Sequence, residues 1–125
     1  MTESETAAML VLDEFMSAWN ARDLGAFAAT FNYPSVRIAS GRVRIIEGAQ
    51  SHRPDTFELM AAQGWHHSAW DRRNIIHSGD DKVHFDTCFT RYREDGSVIA
   101  SYDSIYIVNK QDGHWGVQAR SSFAP

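Results

Sequence analysis

Residues 82–115, KVHFDTCFTRYREDGSVIASYDSIYIVNKQDGHW, decide the fold. Apolar and polar residues alternate on both sides of Glu94-Asp95-Gly96-Ser97, and a second Asp-Gly pair, Asp112-Gly113, closes the next alternating segment. A period of two is typical of strands, and Asp-Gly between such segments is a strong hairpin signal. We therefore predict antiparallel strands over 82–93 and 98–110, with a last strand over 114–123.

The pattern extends outward from this stretch. A strand over 66–77 precedes it across the Gly79-Asp80 turn, and two shorter alternating segments over 36–38 and 42–47 flank Ser40-Gly41. Six strands are therefore expected, most of them joined by short turns.

Three helices are predicted in the N-terminal half. Ser4 is a candidate N-cap for the first, and Asp23 for the second. A third helix of three to four turns is expected between Gly48 and Gly64. The inward stripes have helical spacing: Ala8, Val11, Leu12, Phe15 and Trp19 in the first helix, then Leu24, Phe27, Ala28 and Phe31 in the second. The element order α-α-β-β-α-β-β-β-β indicates an α+β fold in one domain, residues 1–125.

Composition excludes several functional classes. The net charge of −4 argues against nucleic acid or an anionic membrane as partner, and no apolar run is long enough to span a membrane. The lone Cys88 and the acidic N-terminus favour a cytoplasmic protein. No G-x-S-x-G, G-x-G-x-x-G or zinc-spaced Cys/His cluster is present, so we expect no cofactor and no metal.

The element order resembles that of the nuclear transport factor 2-like superfamily, which includes SnoaL-like polyketide cyclases and ketosteroid isomerases. Three short pieces of the chain are similar to that family's junctions: Trp19-Asn20-Ala21-Arg22-Asp23-Leu24, Gly79-Asp80 and Asp112-Gly113-His114-Trp115. The resemblance implies a cystatin-like fold. In it, a cone-shaped, curved, antiparallel or mixed sheet of about six strands packs on the three helices and leaves a pocket between the two layers.

Turn geometry predicts which side chains face the helices. Two-residue loops pair Phe89 with both Trp70 and Tyr102. Every second residue along these strands then lies on the same face as Phe89. Asp103 and Arg120 then fall on the opposite face, close enough for an ion pair. The predicted ligand-binding residues are Arg72, Asn74, Tyr106, Trp19, Trp70, Phe89 and Arg91.

Arg72 is the expected anchor for a carboxylate or carbonyl group, because a charge between sheet and helices needs a partner. The alternatives are a structural ion pair with Asp13 or Glu14 of the first helix, or a flipped strand that places Arg72 in solvent. For catalysis the candidates are His52 at the pocket mouth and Asp103 with Tyr102. The isomerase pattern of the resembled family is missing, since the first helix has no inward tyrosine and the first strand no acid.

Three functions stay open. The chain is a small-molecule-binding domain for a hydrophobic or carboxylate- or carbonyl-bearing compound, an isomerase, cyclase or dehydratase of SnoaL-like type, or a dimeric interaction module with a filled core. An unpaired Arg72 in a cavity favours the first, and a His or Asp at the cavity the second. A cavity below about 300 Å³ favours the third. We also expect a homodimer formed through the sheet.

Overall fold

The computed structural model describes all 125 residues. Helix α1 spans Glu3–Asn20, and its N-cap is Thr2 instead of the predicted Ser4. Thr2 forms a capping box with Glu5, in which each side chain bonds the other residue's backbone N–H. Helix α2 spans Leu24–Ala29 and is capped by Asp23, as predicted.

The prediction of one long third helix between Gly48 and Gly64 is wrong. A 3₁₀ turn over Ala49–Ser51 is followed by helix α3, Thr56–Ala62, which has only two turns. Pro54 lies between them, and a proline disfavours helical geometry in the residue before it. The chain is extended at His52, two residues before Pro54, and this side chain is buried.

Six strands form one sheet in the order β2-β1-β6-β5-β4-β3. Only β1 and β6 run parallel, and every other neighbouring pair is antiparallel. The strands are β1 Phe31–Ala39, β2 Arg42–Ile46, β3 His67–Ser78, β4 Lys82–Tyr92, β5 Val98–Gln111 and β6 His114–Ser122. The mixed sheet and the three helices confirm the predicted α+β class. Phe31, predicted to end α2, begins β1 instead.

The β4–β5 register is the predicted one, with Phe89 opposite Tyr102 and Phe85 opposite Tyr106. The β3–β4 register agrees with the prediction from His67 to Trp70 and departs from it between Trp70 and the turn, because irregularities follow Trp70 and Ile75. Each adds one residue to β3 and reverses the side on which the following side chains lie.

The β5–β6 register also shifts by one residue. Val108 opposes Val117 as predicted, but Tyr106 then opposes Arg120 because Gln118 is an extra residue in β6. The Ser35 hydroxyl lies at this bulge, 3.2 Å from the Val117 carbonyl oxygen. Arg120 therefore faces the helices, and its predicted place on the opposite face is wrong.

Aromatic side chains fill the space between the layers. The ring of Phe15 on α1 contacts those of Phe27, Phe31, Trp70 and Tyr106, at centroid distances of 4.7 to 6.2 Å. Tilted and edge-to-face pairs of this kind contribute beyond the area they bury. None of the helices combines the length and apolar character that a membrane span requires.

Candidate functional site

A cavity of about 200 Å³ lies between the helices and the sheet. Its apolar wall is largely aromatic and comes from α1, α2 and the strands β3 to β5. The aromatic residues are Phe15, Trp19, Phe27, Trp70, Phe89 and Tyr106. Trp19 therefore lies where the helical stripe predicted, and Trp70, Phe89, Tyr106 and Arg91 lie where the strand pairing predicted. Whether these residues bind a ligand stays a prediction.

The polar wall consists mainly of arginines. Arg37 on β1, Arg44 on β2, Arg91 on β4 and Arg120 on β6 line the cavity, and no Asp or Glu side chain does. A fifth arginine at the rim, Arg53, is ion-paired with Asp55. The other four take part in no ion pair. The cavity thus concentrates positive charge in a protein whose net charge is −4.

Arg37 and Arg44 occupy directly opposite positions in the β1–β2 pair. Arg37 donates to the Ala124 carbonyl oxygen at 3.2 Å, and Arg44 to that of Ser51 at 3.0 Å. Both acceptors are neutral. Like charges facing each other across two strands are destabilising, and neither guanidinium forms an ion pair that would offset this cost.

Arg120 lies between aromatic rings. Its guanidinium carbon is 5.1 Å from the ring centre of Phe31 and 5.6 Å from that of Phe15. Its Nε is buried and has no hydrogen-bond partner. An unsatisfied buried donor costs about 1–3 kcal/mol, so this nitrogen calls for an acceptor that the chain does not supply.

Burial lowers the pKa of both Arg37 and Arg91, and the charges of Arg120 and Arg91 lower that of Arg37 further. Arg91 also lies 4.9 Å from the centre of the Tyr102 ring. Guanidinium groups stay charged despite such shifts. The cavity therefore holds several partly desolvated cations close enough to repel one another.

His52 lines the cavity and is 8% exposed. Its Nε2 lies 2.9 Å from the hydroxyl oxygen of Tyr33, which is itself 2.6 Å from the Ala28 carbonyl oxygen. Burial, with the positive charges of Arg120 and Arg44, lowers the pKa of His52 to about 4. The imidazole is neutral at pH 7.

The predicted anchor, Arg72, does not face the helices. It opposes Cys88 on the outer face and makes ion pairs at 3.0 Å with both Asp86 and Asp103. These two hydrogen-bonded carboxylates raise its pKa. Asn74 opposes Asp86 and is exposed on the same face. The predicted positions of Arg72 and Asn74 are wrong because of the β3 bulges.

The remaining predicted site residues also do not come together in the cavity. Asp103 lies on the outer face as predicted, but its partner is Arg72, so the expected pair with Arg120 is wrong. Tyr102 faces inward and packs on Phe89 without lining the cavity. The ion pair to Asp13 that was considered for Arg72 is made by Arg73 instead. No group of three or more His, Cys, Asp or Glu side chains is placed to hold a metal ion.

Sequence reasoning missed Arg37, Arg44 and Arg120 as cavity residues. Arg37 and Arg44 had a usable signal: the two-residue Ser40-Gly41 turn alone pairs them. The prediction assigned no face to this strand pair; Ile38, next to Arg37 on β1, is 49% exposed. Arg120 had no such signal, since nothing in the sequence marks the bulge at Gln118.

Comparison with known proteins agrees with this architecture. A family model described as NTF2-like protein (DUF6841) matches residues 4–122. No curated protein matches the chain significantly. A protein of unknown function with a cystatin-like fold from Nostoc punctiforme is 16% identical, with a TM-score of 0.78 over 98% of this chain and 92% of that one.

Two further solved structures share the fold. An NTF-2 like protein of unknown function from Shewanella oneidensis is 16% identical, with a TM-score of 0.76 over 95% of this chain and 98% of that one. A ketosteroid isomerase-like protein from Erwinia carotovora atroseptica is 18% identical, with a TM-score of 0.68 over the full length of both chains. Such low identities establish the fold alone. Because the family model covers nearly the whole chain, this protein belongs to the NTF2-like family described as DUF6841.

Proposed function

We propose that the protein binds a small organic carboxylate in the aromatic cavity, with its negative charge among Arg37, Arg44, Arg91 and Arg120. The observation that carries the proposal is the lining: four arginines without ion-pair partners and no acidic side chain. Guanidinium groups match carboxylates in charge and in planar geometry. Aromatic side chains line the rest of the cavity, and they favour a ligand with a flat apolar ring.

Energetics support the same conclusion. Partly buried cations that repel one another are costly unless an anion offsets them. Charge arrangements that reduce the stability of the free protein are typical of binding sites, where the ligand supplies the missing partner. The buried, unpartnered Nε of Arg120 adds a further cost to the free protein.

The volume limits the ligand to a small molecule. About 200 Å³ is below the 300–1,000 Å³ typical of sites for drug-sized ligands. By volume alone, an interaction module with a filled core is favoured. The lining argues against that reading, because a core closed for packing alone has no need of four guanidinium groups. A single-ring carboxylate such as benzoate is the size class we propose.

The test is a titration with benzoate followed through the arginine Nε–H signals in ¹⁵N-correlated NMR spectra. We expect the signals of Arg37, Arg91 and Arg120 to shift. Arg72 and Arg73 are ion-paired to carboxylates of the chain and serve as internal controls whose signals stay in place. Equal shifts for all five arginines would indicate nonspecific screening and would contradict the site.

A second candidate function is an isomerase, cyclase or dehydratase acting on a small hydrophobic carbonyl compound. The observation in its favour is His52, a neutral imidazole at the cavity. Asp103 takes no part in this version, because it lies on the outer face. Deuterium uptake by phenylpyruvate in D₂O, faster with the parent than with His52→Gln, would support it. Equal rates would argue for binding alone.

We also propose that two copies associate through the outer face of the sheet, as expected from the sequence. That face carries exposed β-branched residues, with Val43 at 66% exposure and Ile38 at 49% on neighbouring strands. A contiguous apolar patch of this kind is typical of an interface. The cytoplasmic location expected from the sequence stays a proposal, which microscopy of the tagged chain would test.

A further inference from the structure

We infer that Tyr33 holds His52 in the tautomer whose Nδ1 carries no proton, and that the bound carboxylate also carries an O–H or N–H group that donates to this nitrogen. The second half of the inference rests on the proposed function and specifies its ligand: a hydroxy- or amino-substituted carboxylate instead of a simple one.

The tautomer follows from the number of protons available. Tyr33 has one hydroxyl proton, and the Ala28 carbonyl oxygen 2.6 Å away can only accept it. Burial raises the pKa of Tyr33 to about 12, so the phenol keeps this proton. The contact of 2.9 Å between the same oxygen and Nε2 of His52 must then use a proton on Nε2.

A neutral imidazole carries one proton, so Nδ1 is left with a lone pair. The groups around the ring keep it neutral: Arg120 from β6 and Arg44 from β2 are the charged residues that act on it. Its other neighbours are the rings of Phe27 on α2 and Phe31 on β1. No acid is close enough to stabilise a second proton on the ring.

Nδ1 of His52 makes no hydrogen bond to the chain, as its only polar contact is through Nε2. The four cavity arginines are donors only. Among the wall hydroxyls, that of Ser68 accepts from the Trp65 indole, and that of Ser122 lies 2.7 Å from Ser104. The Tyr106 hydroxyl makes no hydrogen bond to the chain, but a phenol oxygen is a weaker acceptor than an imidazole nitrogen. Nδ1 is therefore the strongest free acceptor among the cavity side chains, and it favours a ligand that carries a hydrogen-bond donor.

Tyr33 does not line the cavity, so it acts as a positioning residue. Its role predicts a spectroscopic effect that loss of packing alone would not produce. In Tyr33→Phe the Nε2 proton loses its acceptor, and the two tautomers of His52 become comparable in population. In the parent, ¹⁵N chemical shifts at pH 7 should show an unprotonated Nδ1 and a protonated Nε2.

The ligand half is tested by calorimetry with benzoate, 3-hydroxybenzoate, 4-hydroxybenzoate and the two matching methoxybenzoates. We expect one hydroxybenzoate to bind the parent roughly tenfold more tightly than benzoate and than its methoxy analogue, the effect of one added hydrogen bond. Tyr33→Phe roughly halves the population of the accepting tautomer, so it should lower this preference about twofold, to roughly fivefold, and leave benzoate affinity nearly unchanged.

The outcomes separate the two proposals. A protonated Nδ1 in the parent would overturn the tautomer. Benzoate and hydroxybenzoates binding with equal affinity would overturn the ligand class and leave the carboxylate site standing. Failure of every benzoate to bind would overturn the proposed function together with the ligand class. Because the ¹⁵N measurement uses the unmodified parent, the tautomer is decided even if Tyr33→Phe folds poorly.

Discussion

Arg37 and Arg44 face each other across strands β1 and β2, on the side of the sheet that lines the cavity. Neither guanidinium has a carboxylate partner, and each donates only to a backbone carbonyl oxygen. Two like charges in directly opposed positions reduce the stability of a strand pair. A bound anion between the two guanidinium groups would offset this repulsion.

Replacing one member of this pair with an acid should stabilise the free protein and abolish binding. In Arg44→Glu, the new carboxylate opposes Arg37 and should raise the free energy of unfolding by about 0.2–1 kcal/mol. Benzoate would then meet a negative charge at the cavity. Denaturant unfolding and calorimetry measure the two effects. Arg42→Glu, on the same strand and outside the cavity lining, is the control. Arg44→Glu binding benzoate as tightly as the parent would refute the role of this pair.

Arg120→Met and Arg72→Met should have effects of opposite sign on stability. Methionine in place of Arg120 removes an unpartnered buried donor and keeps contact with Phe15 and Phe31. We therefore expect the free energy of unfolding to rise by about 1–3 kcal/mol and benzoate binding to be lost. Arg72→Met breaks ion pairs to Asp86 and Asp103, so stability should fall with benzoate affinity unchanged. Thermal unfolding with and without benzoate distinguishes them. If benzoate raised the melting temperature of both variants equally, Arg120 would not be part of the binding site.

The stability of the protein should decrease on mild acidification because of His52. Its pKa is about 4 in the folded chain against an ordinary 6.5. Between these values the unfolded chain binds a proton that the folded chain does not, so stability is lost as the pH falls from 6.5 to 4. The loss is about 3 kcal/mol at most. His52→Gln removes this contribution and keeps a donor for Tyr33. Unfolding curves of the two proteins should diverge in this window, and parallel curves would show that His52 titrates normally.

The outer face should hold two copies together. Ile38 and Val43 are opposite each other on β1 and β2 and are both exposed. A lysine at position 38 would place a charge in the middle of that apolar contact. We expect light scattering to give a dimeric mass for the parent and a monomeric mass for Ile38→Lys. Leu10→Lys, at an equally exposed position on α1, should stay dimeric. A monomeric parent at high micromolar concentration would contradict the interface.

The sequence was sufficient for the fold and insufficient for the cavity wall, for a physical reason. Asp95-Gly96 defines a hairpin, and the β4–β5 pairing of Phe89 with Tyr102 follows from it directly. The strands β3 and β6 contain extra residues, which no turn signal marks and which reverse side-chain parity. Arg72 and Arg120 consequently exchanged faces relative to the prediction. Positive charge in the cavity was expected from Arg72 and Arg91, and of these two only Arg91 lines it.

The central claim is that the cavity recognises negative charge on a small ring-containing molecule, and calorimetry with benzoate and benzamide tests it most directly. The two compounds have nearly the same shape, and only benzoate is charged. At low ionic strength we predict that benzoate binds with one site per chain and at least about tenfold more tightly than benzamide, since hydrogen bonds to a charged group are worth about 1.5–3 kcal/mol. Equal affinities for the two compounds, or no binding of benzoate at millimolar concentration, would contradict the account.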